Sequence, residues 1–316
     1  MPPSRRPRWA RSARRRARAA RPSVRPRSLR AQSTPPRSPT PTRSSEPVVE
    51  RGASQEVASS RRWSETSVGD ARTVGEHTVE ERRADKHWAG AFNARDLGGI
   101  EVAAGAIRPG VLFRSGKPEA WEPEGFREAA ASGVRRIVDL RDPSEPGGAP
   151  ADAGVAGIDY EFSPIEDPRS PRFQARFRPY MNHTSGYADF LDMFGDRVAG
   201  AVGEVFAGSP GALMCCSAGR DRTGIVVSVI LLALGASDEE LARQDELAVR
   251  AVNERHRGRT HPYESWQPRE IVDEMVASRR ASLLDFAASL DARAFLDHYG
   301  IGSKRLEAAS EWLLDA

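Results

Sequence analysis

Two apolar runs meet across nine residues, and that arrangement narrows the folds open to this 316-residue chain. Ala212-Leu-Met-Cys215 leads in, residues 225–234 lead out, and Cys216-Ser-Ala-Gly-Arg-Asp-Arg222-Thr-Gly224 lies between them. The pattern predicts a strand, a tight loop and a helix, with the loop at the strand's carboxyl end, where open α/β sheets hold ligands. The rest of the chain alternates in kind. A Gly-rich hairpin is predicted over 97–108, strands over 111–114, 134–140 and 158–162, and helices over 124–131 and 187–206. Strands alternating with helices predict a parallel central sheet covered by helices on both faces. Beyond Gly235 the chain reads as a helical C-terminal region. Ser237-Asp-Glu-Glu240 is a capping box opening a helix to about 255. A second helix begins at Pro268 with Ile271, Met275 and Val276 on one face, and segments 293–299 and 303–314 follow.

The loop's composition suits a phosphate. Backbone N–H groups turned inward hold non-bridging oxygens, and a following helix adds its positive N-terminal end. Ser217, Ala218, Gly219, Arg220, Asp221 and Arg222 are the candidate phosphate-binding residues, with Ala218 and Gly219 keeping the inner wall free of bulk. Arg222 can clamp two phosphate oxygens at once, which a lysine cannot. Cations and the helix end favour a thiolate at Cys216, which can attack phosphorus and form a cysteinyl-phosphate that water later hydrolyses. Thr223 either hydrogen-bonds the sulfur in the second step or caps the first helical turn.

These residues resemble the signature loop of protein tyrosine phosphatases. The match is to the atypical bacterial, mycobacterial tyrosine phosphatase B-like group, whose loop reads His-Cys-x-x-Gly-Lys-Asp-Arg-Thr-Gly. Phe92-Asn-Ala-Arg-Asp-Leu-Gly-Gly99, Leu112-Phe-Arg-Ser-Gly116, Val138-Asp-Leu-Arg141 and Phe295-Leu-Asp-His-Tyr-Gly-Ile-Gly302 are similar to the same group, so the resemblance runs from about residue 87 to the end. It implies a tyrosine phosphatase-like α/β fold and a cysteine-dependent phosphatase with no cofactor and no metal. Two positions depart from the group. Cys215 stands where its members have a histidine that orients the loop and favours the thiolate; here it is either a redox partner for Cys216 or a small apolar residue ending a strand. Arg220 stands where lysine is common, placing a second positive charge at the mouth.

A leaving oxygen needs a proton, and a placed acid contributes ~10²–10⁴-fold. The resemblance makes Asp221 the candidate; its other reading is a structural acceptor for a neighbouring arginine. Asp167, in the proline-rich loop Pro164-Ile-Glu-Asp-Pro168, competes with it. Asp139 and Asp96 read as structural, with Arg141 and Arg95 as their partners. Met275, Leu283, Leu284 and Phe286 form a stripe that is either core or a lid over the site.

Charge divides the chain. The first 45 residues hold 14 arginines and no acid, so of the total +3 the remainder carries −11. This Arg/Pro/Ser-rich stretch cannot bury enough apolar surface to offset its ordering entropy. Residues 1–85 are therefore expected to be a disordered tail and 86–316 the catalytic domain. Such a tail makes weak anionic contacts without specific nucleic-acid readout; alternatively translation starts downstream of Met1, which an intact mass would reveal. The longest apolar run is half a membrane span. Two adjacent cysteines make no disulfide framework, and a reducing, cytoplasmic setting suits the thiolate. The expected substrate is a phosphotyrosine protein. Phosphoinositide or phosphoserine/threonine substrates, or a catalytically weak phosphate-binding module, are the alternatives.

Overall fold

The computed structural model describes residues 85–207 and 210–315. The expected disordered tail lies outside the described residues except for Asp85, which forms an isolated bridge to Arg95.

Eight strands are described: β1 (Arg95–Asp96), β2 (Glu101–Val102), β3 (Gly105–Ile107), β4 (Leu112–Ser115), β5 (Arg136–Asp139), β6 (Asp159–Phe162), β7 (Ala212–Cys215) and β8 (Leu314–Asp315). The main sheet has the order β1-β4-β7-β5-β6, and only the β1 edge is antiparallel. The helices are α1 (Pro123–Ala131), α2 (Ala151–Val155), α3 (Pro171–Arg176), α4 (Tyr187–Ala207), α5 (Asp221–Leu234), α6 (Asp238–Arg255), α7 (Arg269–Ser289), α8 (Ala292–His298) and α9 (Ser303–Leu313).

Strand alternation sends side chains to two apolar layers. Leu112, Val138 and Met214 pack with α4, α5, α7, α8 and α9, while Phe113, Ile137 and Leu213 pack with α1 and α2 on the other face. β4 and β7 are buried along their whole length, as a parallel sheet covered on both faces requires. The expected fold class is therefore the observed one.

α5 is apolar all round because it is buried all round, and it stops where Gly235 adopts the left-handed conformation at φ 84°. Ser237 caps α6, its hydroxyl accepting from the Glu240 N–H. Three details depart from the sequence expectation. α4 is interrupted at Phe194, whose φ of −135° is not helical. Ile271 and Met275 on α7 are 41% and 39% exposed, and the buried face is instead Val272, Arg279, Leu283 and Phe286. The chain's last described residues form β8, which pairs with β3 and joins the 101–107 hairpin in a three-stranded sheet.

Candidate active site

β7 ends at Cys215 and α5 begins at Asp221, so residues 216–220 bridge the sheet's carboxyl edge and a helix N-terminus. The carbonyls of this loop are drawn outward. Ser217 O accepts from the Lys117 N–H at 3.2 Å, Ala218 O from Asn93 Nδ2 at 2.8 Å, and Gly219 O from Arg114 Nη2 at 2.8 Å. Turning a peptide's carbonyl out turns the adjoining N–H in. Among the described residues the adjoining N–H groups, those of Ala218, Gly219 and Arg220, find no acceptor, and the first N–H groups of α5 have none within the helix. The result is a ring of free donors around Cys216, which is 3% exposed. Gly219 is required there: its φ is +67°, and a Cβ would lie 2.4 Å from Ser115 O. Asn93 holds a positive φ of 53° and braces the loop with one end of its amide, while Arg95 Nη1 donates to the other at 2.5 Å.

Arg222 points back into the loop from the first turn of α5. Its two terminal nitrogens donate to both oxygens of Glu145, and Nη1 also donates to Glu166 Oε1 at 3.0 Å. That fills one end of the guanidinium. Its Nε–H makes no hydrogen bond among the described residues, so the Nε/Nη2 edge is open to a bidentate oxyanion. Burial works against the charge of Arg222, but Glu166, Glu145 and Cys216 hold it firmly protonated.

The neighbours of Arg222 are arranged differently from the sequence expectation. Arg220 does not add a free cation to the mouth. It is 4% exposed, and its side chain donates to Asp221 Oδ2 at 2.9 Å and to both oxygens of Glu264 at 2.9 and 3.0 Å. Asp221 gives its other oxygen to Arg279 Nη1 at 3.0 Å. Burial alone would raise its carboxyl, but Arg220 and Arg279 outweigh burial and hold it below the usual carboxylate range. Asp221 thus makes the contacts with neighbouring arginines that its structural reading expected. Thr223 is fully buried with its hydroxyl unpartnered; it does not cap α5.

Cys215 is a free thiol in the layer with Phe113, Trp121 and Leu213, whereas Cys216 packs in the opposite layer. No sulfur pair forms, and burial pushes the Cys215 thiol well up. The remaining carboxylates sort clearly. Asp139 is saturated by Arg141 and Tyr160. Asp96 binds the N–H groups of Gly98 and Gly110 rather than Arg95. Asp167 turns outward to Arg169, whose N–H groups lower its carboxyl.

A cavity of about 630 Å³ opens above Cys216. Its walls come from Phe92, Phe173, Tyr180 and Met181, with Lys117, Arg255 and Arg259 contributing cations. The Arg255 guanidinium stacks 3.5 Å from the Phe92 ring centroid. Leu283 and Phe286 are core, Leu284 is half-buried, Met275 is exposed, and none of the four lines this cavity. Glu145, Glu166, Asn93 and Arg114 were not foreseen as site residues, although three of them lie in or beside motifs already conspicuous in the sequence.

The tyrosine phosphatase family model matches residues 86–315. A Cupriavidus necator protein named "Putative tyrosine-protein phosphatase" is 32% identical over 157 residues, covering 47% of this chain and 57% of that protein. A Mycobacterium tuberculosis protein named as a triple specificity protein phosphatase is 28% identical over 180 residues, covering 46% of this chain and 62% of that protein. The chain thus spans less than two thirds of the length of either relative. Among solved structures, the catalytic core of Siw14 aligns at 14% identity with a TM-score of 0.33, over 72% of this chain and 95% of that one.

Proposed function

We propose that this chain, which belongs to the tyrosine phosphatase family, hydrolyses phosphate monoesters through a cysteinyl-phosphate on Cys216. The observation carrying this reading is the loop's inversion: its carbonyls are tied outward, its N–H groups are free inward, and Cys216 lies at their centre. Three equatorial oxygens of a transferring phosphoryl group meet those donors and the open edge of Arg222, whose charge is already fixed. The Cys216 sulfur attacks phosphorus and the ester oxygen leaves with a proton. Water then attacks phosphorus, the sulfur departs as thiolate, and inorganic phosphate is released. The orphan hydroxyl of Thr223 is suited to stabilise that departing sulfur. Such chemistry needs a reduced Cys216, which suits a reducing compartment such as the cytoplasm. Among the described residues no helix is long and apolar enough to cross a membrane.

Phosphotyrosine proteins are the first substrate class. The apolar and aromatic wall of Phe92, Phe173, Tyr180 and Met181 suits an aryl ester. Lys117, Arg255 and Arg259 have no carboxylate partner among the described residues, and this favours a second reading, substrates with a further negative charge such as phosphoinositides. The triple specificity by which the mycobacterial relative is named accords with a broad range.

Para-nitrophenyl phosphate, phosphopeptides and phosphoinositides should be assayed between pH 5 and 8 with wild type and Cys216→Ser. The reading requires turnover by wild type, none by Cys216→Ser, and retained phosphopeptide binding by that variant. Binding without turnover by the wild type would make the chain a phosphate-binding module instead.

A further inference from the structure

We propose that Glu166 is the proton donor to the leaving oxygen. The proposal rests on the phosphatase reading above and adds to it a residue from a separate loop.

Four carboxylates line the cavity over Cys216: Glu145, Glu166, Asp221 and Glu264. Three are saturated. Glu145 gives both oxygens to Arg222, Asp221 gives one each to Arg220 and Arg279, and Glu264 gives both to Arg220 and one also to Tyr180. Glu166 is the exception. Oε1 accepts from Arg222 Nη1 at 3.0 Å, and Oε2 has no hydrogen-bond partner among the described residues. The residue is 5% exposed, yet it lines the same space as Cys216. Its loop is pinned from behind, since Arg197 Nη1 on α4 donates to Glu166 O at 2.6 Å.

Burial, with help from neighbouring carboxylates, favours the acid form. Burial raises the Glu166 carboxyl, and Glu145 and Asp142 on the loop after β5, with Asp221 on α5, add to that, against the opposing pull of Arg222. A bound phosphate dianion adds two more negative charges at the Arg222 edge and competes for the cation that stabilises the carboxylate. Binding of substrate therefore drives the proton onto Glu166. In the first step the S–P bond forms, the P–O bond breaks and the Glu166 proton passes to the leaving oxygen, leaving a carboxylate. In the second step that carboxylate takes a proton from the attacking water as the P–S bond breaks, which restores the acid and the Cys216 thiolate.

The test is the dependence of rate on leaving group. Wild type, Glu166→Gln, Glu166→Asp and Asp221→Asn should be assayed on phenyl phosphate, whose phenolate needs protonation, and on 2,4-dinitrophenyl phosphate, whose phenolate does not. Glu166→Gln should lose about 10²–10⁴-fold in kcat on phenyl phosphate, far less on the dinitrophenyl ester, and should lack the alkaline limb of its pH–rate profile. Glu166→Asp keeps an acid and should retain that limb at reduced rate. Asp221→Asn should fall alike on both esters. An equal loss by Glu166→Gln on both esters would make Glu166 only a prop for Arg222 and overturn the proposal. So would leaving-group dependence in Asp221→Asn but not in Glu166→Gln. A wild type that cleaves neither ester and forms no trapped phosphocysteine overturns the phosphatase reading itself, and this proposal with it.

Discussion

At the scale of single residues, the guanidinium of Arg222 divides its labour between two edges. The end facing Glu145 and Glu166 fixes its position, and the Nε/Nη2 edge is left for ligand. A lysine has three donors on one atom and cannot present two separate edges. Arg222→Lys is therefore expected to lower kcat/KM by about 10²–10³-fold, the loss typical of removing a placed oxyanion donor, while circular dichroism stays native. Steady-state kinetics on para-nitrophenyl phosphate check this, and a loss below tenfold would mean that the free edge is not the phosphate clamp. That Cys216 and Arg222 share one loop was legible in sequence because their spacing is local, five residues and one turn. Glu145 and Glu166 were not, because they reach Arg222 from two other loops, across 77 and 56 positions of sequence. Arg220 misled for the same reason. Its direction is decided by Glu264, 44 residues on, rather than by the loop that contains it.

At the scale of elements, Arg279 is the pin that fastens α7 to α5. It is 2% exposed and reaches Asp245 on α6 through Nε and Nη2, at 2.8 and 2.6 Å, and Asp221 at the start of α5 through Nη1. Removing the cation leaves two buried carboxylates facing one another. Arg279→Met should therefore cost about 3–5 kcal/mol of stability, measured as a lowered urea midpoint. A loss under ~1 kcal/mol would show that the triad does not hold the helices together. The same cluster sets the sign of the pH dependence. Asp221 and Glu264 are held below their ordinary range in the folded state. Their contribution is present above the unfolded values near ~4 and is lost as pH falls through the folded values. Glu166, raised, works oppositely: its contribution is full below ~4.3 and declines as pH climbs through its folded value. Urea midpoints measured from pH 3 to 7 should fall towards acid, with a shallower slope in Asp221→Asn. Helix and strand positions were readable because apolar periodicity and caps are local signals, as Ser237 and Gly235 illustrate. The buried face of α7 was not, because a buried arginine rather than the Ile271–Met275 stripe marks it. β8 was missed because two residues carry no period; its pairing with β3 comes from tertiary approach.

At the scale of the whole molecule, two deeply buried cations lack an ion pair among the described residues. Arg95 and Arg114 lie side by side, 2% and 1% exposed, with no carboxylate within salt-bridge distance among the described residues. They share the Gln244 carbonyl at 3.4 Å, and each leaves its Nε–H unpartnered. Burial lowers both guanidiniums, and the like charge of Arg114 lowers Arg95 further. Keeping two such cations out of water is costly. Their position makes the cost intelligible, because Arg114 holds Gly219 O and acts electrostatically on Cys216. An oxyanion bound in the loop would supply a counter-charge, so ligand should stabilise the fold strongly. At 100 times its dissociation constant an oxyanion contributes ~2.7 kcal/mol, or about 5–10 °C in Tm for a domain of this size. Tungstate titrated against wild type in differential scanning fluorimetry should give that rise. Arg114→Met loses a charged hydrogen bond to Gly219 O of about 1.5–3 kcal/mol and part of the field, so its rise at the same tungstate concentration should be markedly smaller. An unchanged rise in Arg114→Met would mean that the buried pair serves only to pack the edge strand β1 against β4, and that the loop's own amides and Arg222 carry the oxyanion unaided.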